Sequence, residues 1–98
     1  MKININSVHF KSDKKLDQFI IEKIEKLTGN YDGIIGGDVK LKLEKSEALE
    51  NKVAEIRLQI RGSDLFAKKQ SKTFEEATLE AVEALKKQLI KHKDKSRE

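Results

Sequence analysis

Ninety-eight residues, 37% of them hydrophobic and 39% charged, supply one modest core under a densely charged surface and leave little room for a second domain. The absence of cysteine excludes disulfides and thiol chemistry, five glycines with no proline argue against a low-complexity chain, and no apolar run approaches the roughly 20 residues of a membrane helix. The formal net charge of +4 is localised: residues 86–98 hold six Lys or Arg against Asp94 and Glu98, whereas the first 85 residues are balanced.

The chain opens with Ile3 and Ile5 alternating with Lys2, Asn4 and Asn6, which predicts a strand from Lys2 to about Ser7. MKININSVHF has no continuous apolar stretch, so no signal peptide is read there and a soluble cytoplasmic chain is expected. Ser12 or Asp13 is placed to cap the helix that follows. In that helix Leu16, Phe19, Ile20, Ile24 and Leu27 recur at helical spacing among polar residues. Gly29 and Asn30 end it, with glycine suited to a left-handed cap. The glycine-rich stretch from Gly29 to Asp38 predicts a loop.

Val39, Leu41 and Leu43 alternate with charged residues and predict a second strand. After a polar connection over residues 45–52, Ala54, Ile56, Leu58 and Ile60 alternate with Glu55, Arg57, Gln59 and Arg61 as a third. Gly62-Ser63-Asp64 predicts a tight turn, and Leu65 to Lys72 is a fourth strand by position, with weak alternation. Thr73 with Glu76 three residues on is a capping box. Phe74, Ala77, Ala81, Val82, Leu85 and Leu89 then mark a second helix to about His92.

The expected architecture is α+β with the order β-α-β-β-β-α: a four-stranded sheet with both helices packed on one face, similar to a double-stranded-RNA-binding domain. Residues 1–92 form the domain, and residues 93–98 are expected to be a short, mobile basic tail. The other sheet face carries Lys40, Lys42, Arg57, Arg61 and Lys68 and should be solvated.

Catalysis has little to work with. His9 and His92 sit near opposite ends of the chain, no Cys is present, and carboxylate pairs such as Glu22/Glu25 and Glu76/Glu80 fall on exposed helix faces. No enzyme activity, metal, cofactor or small-molecule substrate is expected. Gly33-Ile-Ile-Gly36 matches a KH-type GXXG only formally, since its middle is apolar and it leads into a strand. An RNA-recognition motif would place aromatics on its central strands, where Leu41, Leu43, Arg57 and Gln59 stand instead. A double-stranded-RNA-binding domain grips phosphate at the start of its last helix, but here that start is Thr73-Phe74-Glu75-Glu76.

The basic surface lies at the other end of that helix. Lys86, Lys87, Lys91, Lys93 and Lys95 follow an acidic first half, and Lys87, Lys91 and Lys95 are four apart on one stripe. Lys23 and Lys26 share a face of the first helix. Helices packed side by side would let these clusters flank one groove that neutralises phosphates without reading bases. A plain alternative is a solvated helix end complementing the helix dipole.

The segment ALKKQLIKHKDK, residues 84–95, resembles the end of the second helix in short ribosome hibernation promoting factors and ribosome-associated inhibitor A proteins, the sigma-54 modulation protein family. Leu16, Phe19, Ile20, Lys23, Ile24, Lys26 and Leu27 resemble that family's L-x-x-[FY]-[IV]-x-x-K-[FI]-x-K-L pattern, and the resemblance covers about residues 1–95. It implies a monomeric chain that binds the small ribosomal subunit and its 16S rRNA in the channel used by mRNA and tRNA, and inhibits translation in slow-growing cells. It implies rRNA contact by Lys23, Lys26, Lys86, Lys87, Lys91, His92, Lys93 and Lys95. Gln88 also matches, with either RNA contact or helix support open to it. The family often has Asp-Met-Tyr where this chain has Thr73-Phe74-Glu75, which keeps the cap and the buried residue but not the tyrosine. Long members add a C-terminal domain that pairs ribosomes, a route not expected for a chain ending at Glu98.

Two other readings stay open. One is a general RNA-binding module or RNA chaperone using Lys40, Lys42, Arg57 and Arg61 on the sheet. The other is a protein-interaction module in which Leu79 and Ile90, both off the main apolar stripe, mark a docking face.

Overall fold

The computed structural model describes residues 2–8, 10–29, 31, 33–44 and 50–96, with side chains described as far as His92. Six elements follow in the order β1 (Lys2–Val8), α1 (Lys14–Thr28), β2 (Ile34–Leu43), β3 (Lys52–Ile60), β4 (Ser63–Ser71) and α2 (Phe74–Ser96). The strands lie side by side in that same sequence, with β1 parallel to β2 and the other pairs antiparallel. The parallel pair needs a crossover, which α1 supplies. The mixed sheet with two helices is the expected α+β architecture.

Alternation decides which face each strand buries. Val39 and Leu41 of β2, Ala54, Ile56, Leu58 and Ile60 of β3, and Ala67 of β4 are buried beneath the helices. They meet Ile20, Ile24 and Leu27 of α1 and Phe74, Ala77, Ala81, Leu85 and Leu89 of α2. Ala77 and Ala81 present only methyl groups to this core, and Leu85 and Leu89 continue the same buried face of α2. Phe10, just before α1, stacks on Phe74 at the start of α2, with centroids 4.7 Å apart and planes 9° from parallel. That contact ties the chain segments leading into the two helices together.

Local chemistry sets the helix starts. Asp13 caps α1, its Oδ1 accepting from the Leu16 N–H at 2.7 Å, while Ser12 donates to Asp17 at 2.9 Å. Thr73 caps α2, its Oγ1 accepting from the Glu76 N–H at 3.1 Å.

Four expectations need correction. Gly29 is not a left-handed cap: its φ of −62° is right-handed, and its N–H simply continues the helix by bonding Glu25 O at 2.8 Å. The stretch read as a loop to Asp38 is strand from Ile34 onward. Gly33, at φ 89°, takes the left-handed region, and the strand begins with a bulge between Ile34 and Gly36. Glycine at 36 has a positional reason, because a Cβ there would stand 3.0 Å from Lys2 O of the paired strand. The tight turn is Arg61-Gly62 rather than Gly62 to Asp64. Ser63 already pairs with Ile60, and Gly62 takes φ 84° as two-residue hairpins require.

The helix α2 also runs to Ser96, past the expected end at His92. Among the described residues no helix is long and apolar enough to cross a membrane. His9 lies outside the described residues.

Candidate nucleic-acid interface

The C-terminal half of α1 and the middle of α2 face each other across a groove of about 320 Å³. It is lined by the apolar Leu27 and Val82, by Tyr31, and by the charged Lys23, Lys26, Glu83 and Lys86. Helical periodicity explains the membership. Lys23 and Lys26 sit three apart on the α1 flank that also carries Leu27, and Lys86 sits four after Val82 on the α2 flank turned toward α1. Three ammonium groups against one carboxylate leave the groove positive. Lys23 is half-buried, and its Nζ lies 5.4 Å from the centroid of the Phe19 ring, which steadies the side chain beside the groove. Lys26 and Lys86 are exposed.

The other basic residues of α2 stand elsewhere on the helix. Lys87, Lys91 and His92 are exposed and do not line the groove. Lys91 follows Gln88 by three residues, and Gln88 is bonded to β4, so Lys91 belongs to the flank of α2 beside the sheet edge. The α2 backbone carries Lys93 and Lys95 within the helix, and their side chains lie outside those described. The groove therefore joins Lys23 and Lys26 with Lys86, whereas Lys87 and Lys91 present a second basic edge around the helix. Sequence spacing alone does not distinguish these flanks, because it does not say on which side of α2 the first helix packs.

Gln88 matched the family motif, and its amide is engaged with the Phe66 backbone rather than with the groove. Ser71 Oγ bonds Glu80 in the first half of α2, so the acidic half of the helix is also tied to β4.

The open face of the sheet is solvated as expected, with Lys40, Arg57, Arg61 and Lys68 exposed. Lys42 is different. Its Nζ lies 3.2 Å from Glu55 and 3.7 Å from Glu44, and the hydrogen bond it donates to Glu55, with that carboxylate's charge, raises the lysine pKa above the ordinary 10.5. This face also presents Phe66, 43% exposed, which sequence reasoning missed. The available signal was β4 parity: Ala67 points to the helices, so Phe66 points away from them. Leu79 and Ile90 are both 45% exposed, in keeping with their place off the apolar stripe of α2. Among the described residues no three His, Asp or Glu side chains are grouped to hold a metal.

Comparison with known proteins gives the chain a family. The model of the family described as sigma 54 modulation protein / S30EA ribosomal protein matches residues 3–97. A protein of Pseudomonas putida strain KT2440 named ribosome hibernation promoting factor is 32% identical over 95 residues, spanning 97% of this chain and 89% of the relative. A second protein of that name from Pseudomonas putida matches equally. Among solved structures, a ribosomal subunit interface protein from Coxiella burnetii superposes with a TM-score of 0.85 at 19% identity, covering 96% of this chain and 99% of the other. The N-terminal domain of Thermus thermophilus Protein Y superposes with a TM-score of 0.72 at 22% identity, covering 89% and 90%. At those identities the two structures speak for the fold. The family model and the Pseudomonas relatives establish that the chain belongs to the sigma 54 modulation protein / S30EA ribosomal protein family.

Proposed function

We propose that this chain is a cytoplasmic ribosome-silencing factor that seats the α1–α2 groove and the basic end of α2 on the 16S rRNA of the small subunit. The site is the channel that mRNA and tRNA use, and occupying it holds ribosomes idle in slow-growing cells. The observation that carries this reading is the convergence of Lys23, Lys26 and Lys86 on one groove, within a family whose curated relatives are named ribosome hibernation promoting factors.

The mechanism needs no bond-making. Lysine ammonium groups neutralise phosphates and release their counterions, so affinity comes largely from charge and falls with salt. Leu27, Val82 and Tyr31 give the groove a shape that free lysines would lack, so the fold of the RNA, rather than its base sequence, selects the site. Lys87, Lys91 and His92 extend the contact along α2, and Lys93 and Lys95 continue it by position. Occupancy of the channel excludes tRNA by steric overlap, with one monomer per ribosome.

Order-of-addition experiments in a reconstituted translation system test this reading. The chain added to empty ribosomes should block initiation, and ribosomes preloaded with mRNA and tRNA should resist it. Equal inhibition in both orders, or none in either, overturns the channel mechanism.

A further inference from the structure

The helix-free face of the sheet holds a shallow depression that the ribosome reading does not use. Strand register lines up two rows across the sheet: Asn4, Asp38, Arg57 and Phe66 in one, and Asn6, Lys40, Glu55 and Lys68 in the next. Side chains from both rows line a hollow of about 390 Å³, within the size range of small-ligand sites. Short asparagines on β1 leave room, while Arg57 and Phe66 stand up on the β3–β4 side.

Three features give the hollow a chemical preference. The first is a stacking surface: Arg57 Cζ lies 5.6 Å from the centroid of the exposed Phe66 ring. An aromatic ring and a guanidinium plane at a solvent-facing sheet surface are the groups on which unpaired bases stack.

The second is an oriented acceptor pair. Asp38 Oδ1 accepts from Asn4 Nδ2 at 3.2 Å and Oδ2 accepts from Gln59 Nε2 at 3.4 Å. Those amides aim the carboxylate and leave each oxygen with acceptor capacity. Two acceptors side by side match the adjacent N1–H and N2–H donors of guanine. Adenine, cytosine and uracil set an acceptor beside each donor on that edge.

The third is the charge pattern. Lys40 and Lys68 flank the hollow, but Asp38 and Glu55 stand among them and Lys42 is committed to Glu44 and Glu55. A plain phosphate-gripping surface would not carry these carboxylates, whereas a base-reading pocket has a use for Asp38.

We infer that the open sheet face is a second RNA site that takes an unpaired guanine of single-stranded RNA. The base lies on Arg57 and Phe66, its Watson–Crick edge meets Asp38, and a neighbouring phosphate meets Lys40. This site is independent of the helix groove and does not rest on the ribosome reading.

Amide NMR titration of the full chain with the RNA pentamers UUGUU, UUAUU and UUIUU, where I is inosine, tests it. UUGUU should shift the amides of Asp38, Lys40, Arg57 and Phe66. UUAUU, and UUIUU without the N2 amine, should bind about tenfold more weakly, the loss expected for a broken bidentate base contact. Free GMP should also bind more weakly than UUGUU. Asp38→Asn should remove the preference for guanine with the folded spectrum unchanged, and Phe66→Leu, which keeps apolar bulk, should weaken every pentamer. Equal binding of UUGUU and UUAUU, GMP binding as tight as UUGUU, shifts confined to Lys23, Lys26 and Lys86, or no shifts would each overturn the assignment.

Discussion

The side-chain amide of Gln88 on α2 pairs with both backbone groups of Phe66 at the edge of the sheet: Nε2 donates to the carbonyl at 2.8 Å, and Oε1 accepts from the N–H at 3.3 Å. The amide thereby takes the place of one residue of a fifth strand. A bare edge is a template for pairing with another chain, and covering it with a helix side chain is one remedy. Replacing Gln88 with Ala should cost about 1 kcal/mol in urea unfolding, since both bonds are partly open to water. The Phe66 amide should also exchange hydrogen faster, without a general loss of protection in the neighbouring β3.

Thr78 offers a test in the opposite direction. Its side chain is fully buried in α2, and among the described residues its hydroxyl finds no hydrogen-bond partner. Valine has the same shape without the orphaned oxygen. Thr78→Val should therefore leave stability unchanged or raise it by up to about 1 kcal/mol, whereas Thr78→Ala, which removes volume as well, should lower it by about as much. Thermal unfolding of the two variants side by side decides the matter.

The Lys42–Glu55 pair predicts a pH response. The folded pKa of Lys42 lies above 10.5, so its stabilising contribution is fully present below 10.5 and is lost as pH rises through the folded value. Direct titration of the Lys42 Nζ by NMR should place its midpoint above 10.5, and Glu55→Gln should bring it down. An unchanged midpoint in that variant would mean that Glu55 does not hold the lysine in solution.

Much of this fold was legible because period 2 and period 3.6 are hard to confuse in Ala54–Arg61 and Leu16–Leu27. Thr73 and Asp13 were readable as caps for the same local reason. The first residues of β2 were not, because Gly36 and Gly37 carry no side chain to alternate. Their strand character comes from pairing with Lys2 and Ile3, residues more than thirty positions away. Phe66 was hidden by the short pattern of β4, where Ala67 is the one fully committed apolar position. The basic residues of the site were legible as a set. Their division into a groove containing Lys86 and a separate edge containing Lys87 and Lys91 depends on where α1 packs, which is tertiary information.

The central claim is that the groove built from Lys23, Lys26 and Lys86 seats the chain on the small ribosomal subunit. The most direct test is co-sedimentation with purified ribosomes, comparing the wild-type chain with Lys23→Ala/Lys26→Ala/Lys86→Ala. With about five phosphate contacts in all, wild-type binding should weaken by roughly two to three orders of magnitude between 50 and 200 mM salt. The triple variant, its substitutions at exposed or half-exposed positions and its fold checked by circular dichroism, should stay at the top of the gradient under conditions where the wild type comigrates. A variant that comigrates like the wild type, or a wild-type chain that fails to comigrate at low salt, would contradict the account.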